Sequence, residues 1–316
     1  MNRRSFLASS AAAAALAPLA MSAAEKKKKS SAPPAPPAPT RTTPRPNKKG
    51  FMFNTLNGAT ANKLSTKEKF QLLHDAGFAG VEVRSGMPQD EVLAARDAAG
   101  LQIPSVLVST HWTHPLSSPN PSARETTVES LKQALRDGKA YGATSVLLVP
   151  AVVTKEVSYT DAYKRSVEEI KKCVPLAEEL GVAIAIENVW NQFLLSPLEA
   201  VEYVDSFKSP MVQWHFDVGN IVNTGWPEQW ARILGPRIAK VHVKEFSRKL
   251  RDEEGLWAGF KVDLMQGDSD WRAVMAAFDD VKYTGWLITE QYRSPGLTDA
   301  QYLSQLSQKL DAILVA

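Results

Sequence analysis

From Phe51 onward, short β-branched or apolar runs alternate eight times with amphipathic helical stretches, a rhythm that restricts the chain to folds built around a parallel sheet. The runs are "FMFNTLN" (51–57), "GVEVRSG" (80–86), "QIPSVLVST" (102–110), "SVLLVPA" (145–151), "VAIAIENVW" (182–190), "VQWHFDVGN" (212–220), "IAKVHVKEF" (238–246) and "GWLITEQ" (285–291). Between them lie helical patterns such as "STKEKFQLLHDAG", which opens on a Ser65-x-x-Glu68 capping box and closes on Gly77, and "SPLEAVEYVDSF". Eight such units in about 250 residues have the size of a (β/α)8 TIM barrel, the α/β fold class expected for residues 51–316. A doubly wound open sheet normally uses fewer strands and a glycine-rich first turn. The first turn here, "NTLNGATAN", is not G-x-G-x-x-G.

The first fifty residues are of a different kind. Asn2-Arg3-Arg4-Ser5-Phe6-Leu7 followed by an Ala-rich stretch has the layout of a twin-arginine export signal over residues 1–24, with Ser22-Ala23-Ala24 as small residues for cleavage before Glu25. Residues 25–50 combine a lysine run with seven prolines, and are expected to form a disordered tether. An exported, periplasmic protein is the expectation, membrane-tethered if the signal is retained. No apolar run in the mature chain approaches the roughly 20 residues a bilayer span requires.

Removing this arm reverses the sign of the charge. The whole chain is formally +3, but residues 1–50 hold 10 of the 37 Lys and Arg and one of the 34 Asp and Glu. The remainder carries 27 basic and 33 acidic residues, net −6. An acidic barrel excludes nucleic acid as the expected partner, because phosphate-backbone binding needs a basic surface. The single cysteine, Cys173, excludes an internal disulfide and is expected to be a small core residue of the helical stretch "VEEIKKCVPLAEEL".

A barrel places its reactive groups at the C-terminal ends of the strands. In "AIAIENVW" an apolar run ends on Glu187, and the same end of the next three strands presents Asp217, His242 and Glu290, at intervals of 30, 25 and 48 residues. The last interval is longer because residues 247–268 read as an inserted loop. Three carboxylates facing one opening repel and raise one another's pKa unless a cation compensates. Three oxygen donors and one imidazole suit Mn²⁺, Mg²⁺, Co²⁺ or Zn²⁺, and the absence of thiolates argues against a structural zinc site. Weaker candidates face the same mouth. His111 and His114 in "STHWTH" are read as substrate hydrogen-bond donors or acids, and Trp112 and Trp190 as stacking surfaces for a ligand ring. Strand alternation turns Lys244 inward with His242 and His215 inward with Asp217, making Lys244 a substrate contact and His215 a supporting residue. Glu82 on strand two is similarly placed and is read as an interior ion-pair partner. "GDSDW" (267–271) is expected to start the helix before strand eight, capped by Asp or Ser.

The ordered motifs "IEN", "FDVGN", "KVHVKEF", "GDSDW" and "TEQ" resemble those of the xylose-isomerase-like TIM barrels over about residues 51–314. The resemblance implies that Glu187, Asp217, His242 and Glu290 are metal ligands, that Glu187 and Glu290 are also an acid/base pair, and that Arg248 holds substrate oxygens. Asn220, a further substrate-binding candidate, stands where many epimerases carry a histidine, and Phe193 where some carry a second glutamate. The chemistry expected is metal-dependent isomerisation or epimerisation of a carbohydrate, by proton abstraction next to a carbonyl through a stabilised enediolate. Elimination from a 3-keto-glycoside is the lyase alternative, and a noncatalytic carbohydrate-binding barrel is the alternative outside enzymes.

Overall fold

The computed structural model of the chain describes residues 41–58, 60–293 and 296–316. Its strands are β1 Lys48–Met52, β2 Gly80–Arg84, β3 Ser105–Leu107, β4 Ser145–Leu148, β5 Ala183–Glu187, β6 Val212–Asp217, β7 Ile238–Val243 and β8 Trp286–Thr289. Each pairs in parallel with the next, and β8 pairs with β1. The sheet is therefore a closed eight-stranded barrel surrounded by helices, the expected (β/α)8 fold, and closure removes the open-sheet alternative.

Period-two alternation sorts the side chains of each strand. On β6, Trp214 and Phe216 point outward to ring contacts with Trp230 and Phe278 of the surrounding helices, while His215 and Asp217 point inward. On β7, Val241 and Val243 fill the layer between sheet and helices, and Lys240 and His242 occupy the interior. The β6–β7 register shifts by one residue between Trp214 and His215, after which Asp217 stands opposite His242. Helix signals in the sequence are realised as expected. The Ser65–Glu68 capping box opens the helix Thr66–Asp75, Ser196 caps Pro197–Asp205, and Asp270 of "GDSDW" caps Trp271–Asp280.

Three boundaries differ from the sequence reading. The expected signal (1–24) and residues 25–40 of the expected tether lie outside the described residues, but residues 41–50 are part of the barrel. Arg45 is buried, pairs with Asp279 at 2.8 Å and donates to the carbonyls of Leu314 and Ala316. Asn47 donates to the carbonyls of Tyr283 and Gly285, and β1 begins at Lys48. Proline and lysine content hid a segment held by hydrogen bonds rather than by apolar burial. Second, the stretch around Cys173 is two helices, Tyr159–Lys171 and Val174–Leu180, broken where Pro175 has no N–H to give. Cys173 itself is fully buried at the junction, and burial pushes its thiol up to about 12, so it is inert core. Third, residues 247–268 are not plain loop. They hold the helix Arg248–Glu254 and the 3-10 turn Leu256–Lys261. No helix among the described residues is long and apolar enough to cross a membrane.

Candidate active site

The four strand-end residues converge. Glu187 closes β5, Asp217 closes β6, His242 lies on β7 and Glu290 immediately follows β8. One side-chain donor atom from each lies within 4.8 Å of the other three. His242 Nδ1 is 3.0 Å from Glu187 Oε1, 3.1 Å from Glu290 Oε2 and 3.9 Å from Asp217 Oδ2. The opposite ring nitrogen, Nε2, is 2.8 Å from Oε2 of Glu82, across the barrel on β2. Lys244 Nζ bridges Asp217 at 2.9 Å and Glu290 at 2.7 Å.

The backbone around this cluster is built to hold it. Asn188, of the "IEN" motif, accepts from the Asp217 amide and the Trp214 indole and donates to the Asp217 carbonyl. Asp217 accepts from the Asn220 amide as the cap of the short helix Val218–Val222. Gly219 is required there, since a Cβ would stand 2.7 Å from the Lys244 carbonyl oxygen and push the helix off β7. Glu245 is the residue that sequence reasoning missed. It is buried and its carboxylate accepts from the amides of Phe246, Met265 and Ser269 and from the Trp271 indole, which ties the insertion and the "GDSDW" segment to the end of β7. An acidic residue at an outward position of a buried strand was the available signal.

Electrostatics show what the cluster lacks. Burial pushes the Glu187 carboxyl up to about 7 against the pull of His242. It also raises Asp217, despite Lys244. Burial acts on Glu290 in the same sense, but Lys244 and His242 hold that carboxyl well below the usual range. On His242 burial opposes the imidazolium, yet Glu82 and the hydrogen bonds of Glu187, Glu290 and Glu82 hold it well above its ordinary value. At an effective dielectric near 20, two carboxylates no more than 4.8 Å apart repel by at least roughly 3.5 kcal/mol. Lys244 and a protonated His242 do not balance the three strand-end carboxylates, and Glu82 adds a fourth on the far side of the His242 ring. A divalent cation beside Lys244 and a neutral His242 brings the group closer to neutrality. Asp217 Oδ2, fully buried, has Lys244 Nζ at 2.9 Å as its partner and is an oxygen donor within 4.8 Å of the donor atoms of the other three residues. Three oxygens and one imidazole nitrogen, with no thiolate, fit a divalent cation of the Mg²⁺, Mn²⁺, Co²⁺ or Zn²⁺ type.

Above the cluster opens a cavity of about 290 Å³ lined by Glu187, Glu290, Lys244, Asn220, His111, Trp112, Trp190 and aromatic and aliphatic neighbours. His111 is buried, and its Nδ1 accepts from the Val149 amide at 3.2 Å. A backbone N–H only donates, so the ring proton must sit on Nε2, leaving a hydrogen-bond donor for a ligand. Burial holds His111 down at about 4, which makes it a neutral donor rather than an acid at pH 7. We expect its Cε1–H resonance to titrate near pH 4. Because the unfolded chain takes up that proton near 6.5, stability from this group is complete above 6.5. It falls by up to about 3 kcal/mol as pH drops to about 4. A midpoint near 6.5 would mean that the ring is open to water.

The remaining candidates divide. Asn220 lines the cavity, but its amide donates to the Asn188 carbonyl and its own carbonyl accepts from the Trp190 indole, so it positions neighbours. His114 does not line the cavity and contacts Thr113. Arg248 does not line it either. Its guanidinium donates to the carbonyls of Val222 and Gly225 and lies over Trp226, clamping the insertion to the helix after β6. Phe193 packs in the core against Tyr159, Tyr163 and Tyr203. His215 is fully buried, 4.1 Å ring to ring from His242, and is held well below its ordinary pKa by burial, His242 and Lys240.

Fold and site together define a (β/α)8 barrel with a carboxylate–histidine cluster suited to a divalent cation at its C-terminal mouth. Residues 70–311 match the xylose isomerase-like TIM barrel family, and the chain belongs to that family. A curated relative is the putative L-ribulose-5-phosphate 3-epimerase SgbU of Escherichia coli strain K12. It is 24% identical over 248 residues, 74% of this chain and 86% of the relative. Among solved structures, the D-allulose 3-epimerase from Methylomonas sp. superposes with a TM-score of 0.68 at 16% identity, covering 86% of this chain and 99% of that one. The 3-keto-D-glucoside 4-epimerase YcjR from E. coli does so with 0.69 at 16%, covering 84% and 99%. At those identities the structural likeness is one of fold.

Proposed function

We propose that the protein is a divalent-metal-dependent epimerase or isomerase of an uncharged carbohydrate bearing a carbonyl, exported to the periplasm by its N-terminal signal. The observation that carries this reading is the convergence of Glu187, Asp217, His242 and Glu290 within 4.8 Å, with Glu187 and Glu290 lining the cavity. These four would hold the cation. Bound there, it supplies Lewis-acid stabilisation of the charge that develops on a carbonyl oxygen as the neighbouring proton leaves. The chain's own residues do the rest. Glu187 and Glu290, on strands three apart around the barrel, take the proton from one face of the reacting carbon and return one from the other. Lys244 keeps Glu290 ionised, and His111 donates its Nε2–H to a substrate oxygen. The curated and structural relatives described above are named as epimerases, which supports proton return over the elimination chemistry of a lyase.

The test is deuterium incorporation from D₂O into a panel of ketoses and 3-keto-glycosides, followed by NMR with and without added Mn²⁺. Exchange at the carbon beside the carbonyl, lost on chelation and restored by the ion, is the expected outcome. Bound metal with no exchange at any sugar carbon would instead make this a noncatalytic carbohydrate-binding barrel.

A further inference from the structure

Three large aromatic side chains stand exposed at the cavity mouth: Trp112 at 51%, Trp257 at 66% and Tyr292 at 58% of full exposure. Rings of this size are normally buried, and a cluster of them around a polar floor marks a binding surface. They do not float. Trp257 packs on Trp190 at 5.0 Å between ring centres, Trp190 on Phe260 at 4.8 Å, and Phe260 on Tyr292 at 5.9 Å. The Trp190 indole is fixed by its bond to the Asn220 carbonyl. Trp257 and Phe260 belong to the inserted 3-10 turn after β7, Tyr292 follows β8, and Trp112 follows β3. Since β3 and β7 lie half a turn apart in the barrel, the mouth has a single ring on one side and a stacked platform on the other.

Charge narrows the ligand. No arginine lines this cavity among the described residues, and its only lysine, Lys244, is committed to Asp217 and Glu290. At the rim, away from the floor where the cation is proposed, a phosphate would meet aromatic rings and no arginine or uncommitted lysine among the described residues that line the cavity. Sugar rings, in contrast, present C–H faces to aromatic planes and hydroxyls to their edges.

We infer that the rim is a second sugar subsite, so that the substrate is a neutral two-ring glycoside whose reacting ring meets Glu187 and Glu290 while its second ring lies on Trp257 and Tyr292. This deepens the epimerase reading by naming the substrate class for the same cavity.

D-fructose, fructose 6-phosphate and isomaltulose carry one ketose with hydrogen, phosphate or glucose at a single oxygen, and so isolate the second ring. Their binding to the full protein with Mn²⁺ is measured by calorimetry. Isomaltulose should bind at least tenfold tighter than fructose, and fructose 6-phosphate weakest. That preference should collapse toward one in Trp257→Ala and in Tyr292→Ala. Equal affinity for fructose and isomaltulose, tighter binding of the phosphate, or a preference that survives both substitutions overturns the inference. Binding is read without turnover. Isomaltulose held tenfold tighter with no proton exchange would overturn the catalytic reading and leave the subsite standing.

Discussion

Glu290→Gln is expected to cut proton exchange at the carbon beside the carbonyl by 10²–10⁴-fold while leaving the fold intact. The substitution preserves shape and an oxygen that can still accept from Lys244, 2.7 Å away, but it removes the carboxylate's capacity to take a proton. Glu290 stands in two proposed roles, ligand and base, and metal content separates them. Metal retained with exchange lost assigns proton transfer. Metal and exchange lost together assign ligation, and undiminished exchange refutes both. Asp217→Asn is the comparison. Asp217 is fully buried, paired with Lys244 and shielded from the cavity, so its loss should lower metal occupancy without a separate defect in the loaded protein.

The barrel and its four converging residues were legible because both depend on local periodicity. Strand alternation fixes which side chains face inward, one βα unit separates each site residue from the next, and a carboxylate at the end of a buried strand is conspicuous. What the sequence hid depends on contacts between distant segments. Arg45 sits in a stretch whose prolines and lysines read as disordered, yet its partners, Asp279 and the last residues of the chain, lie more than 230 positions away. Arg248 has the right spacing from His242 for a substrate contact, but the insertion turns it onto the carbonyls of Val222 and Gly225. The same insertion brings Trp257 and Phe260 over the cavity, and no periodicity announces a 3-10 turn pinned by Gly259, whose missing Cβ makes room for the Phe246 ring. Glu82 lies between these cases. Its inward position was plain from alternation, and an ion pair was expected, but which partner it meets across the barrel is a property of closure.

That partner makes Glu82 the site's least obvious lever. For His242 to offer Nδ1 to a cation, that nitrogen must carry a lone pair, so the ring's one remaining proton has to sit on Nε2. Nε2 faces Glu82 Oε2 at 2.8 Å, and both groups are buried beyond the reach of bulk water. The carboxylate therefore selects the tautomer, fixes the ring plane and makes the imidazole a better donor. Glu82→Ala is expected to weaken Mn²⁺ binding by 10–100-fold, and Glu82→Gln, which keeps an acceptor but not the charge, to recover part of that loss. Free Mn²⁺ measured by electron paramagnetic resonance gives the affinity. The ¹⁵N shifts of His242 with diamagnetic Mg²⁺ or Zn²⁺ in place of Mn²⁺ give the tautomer, a readout that general destabilisation would not move. The order of the two variants is what matters, because a merely space-filling Glu82 would show the same Mn²⁺ affinity in Glu82→Gln as in the parent and leave His242 protonated on Nε2 in both.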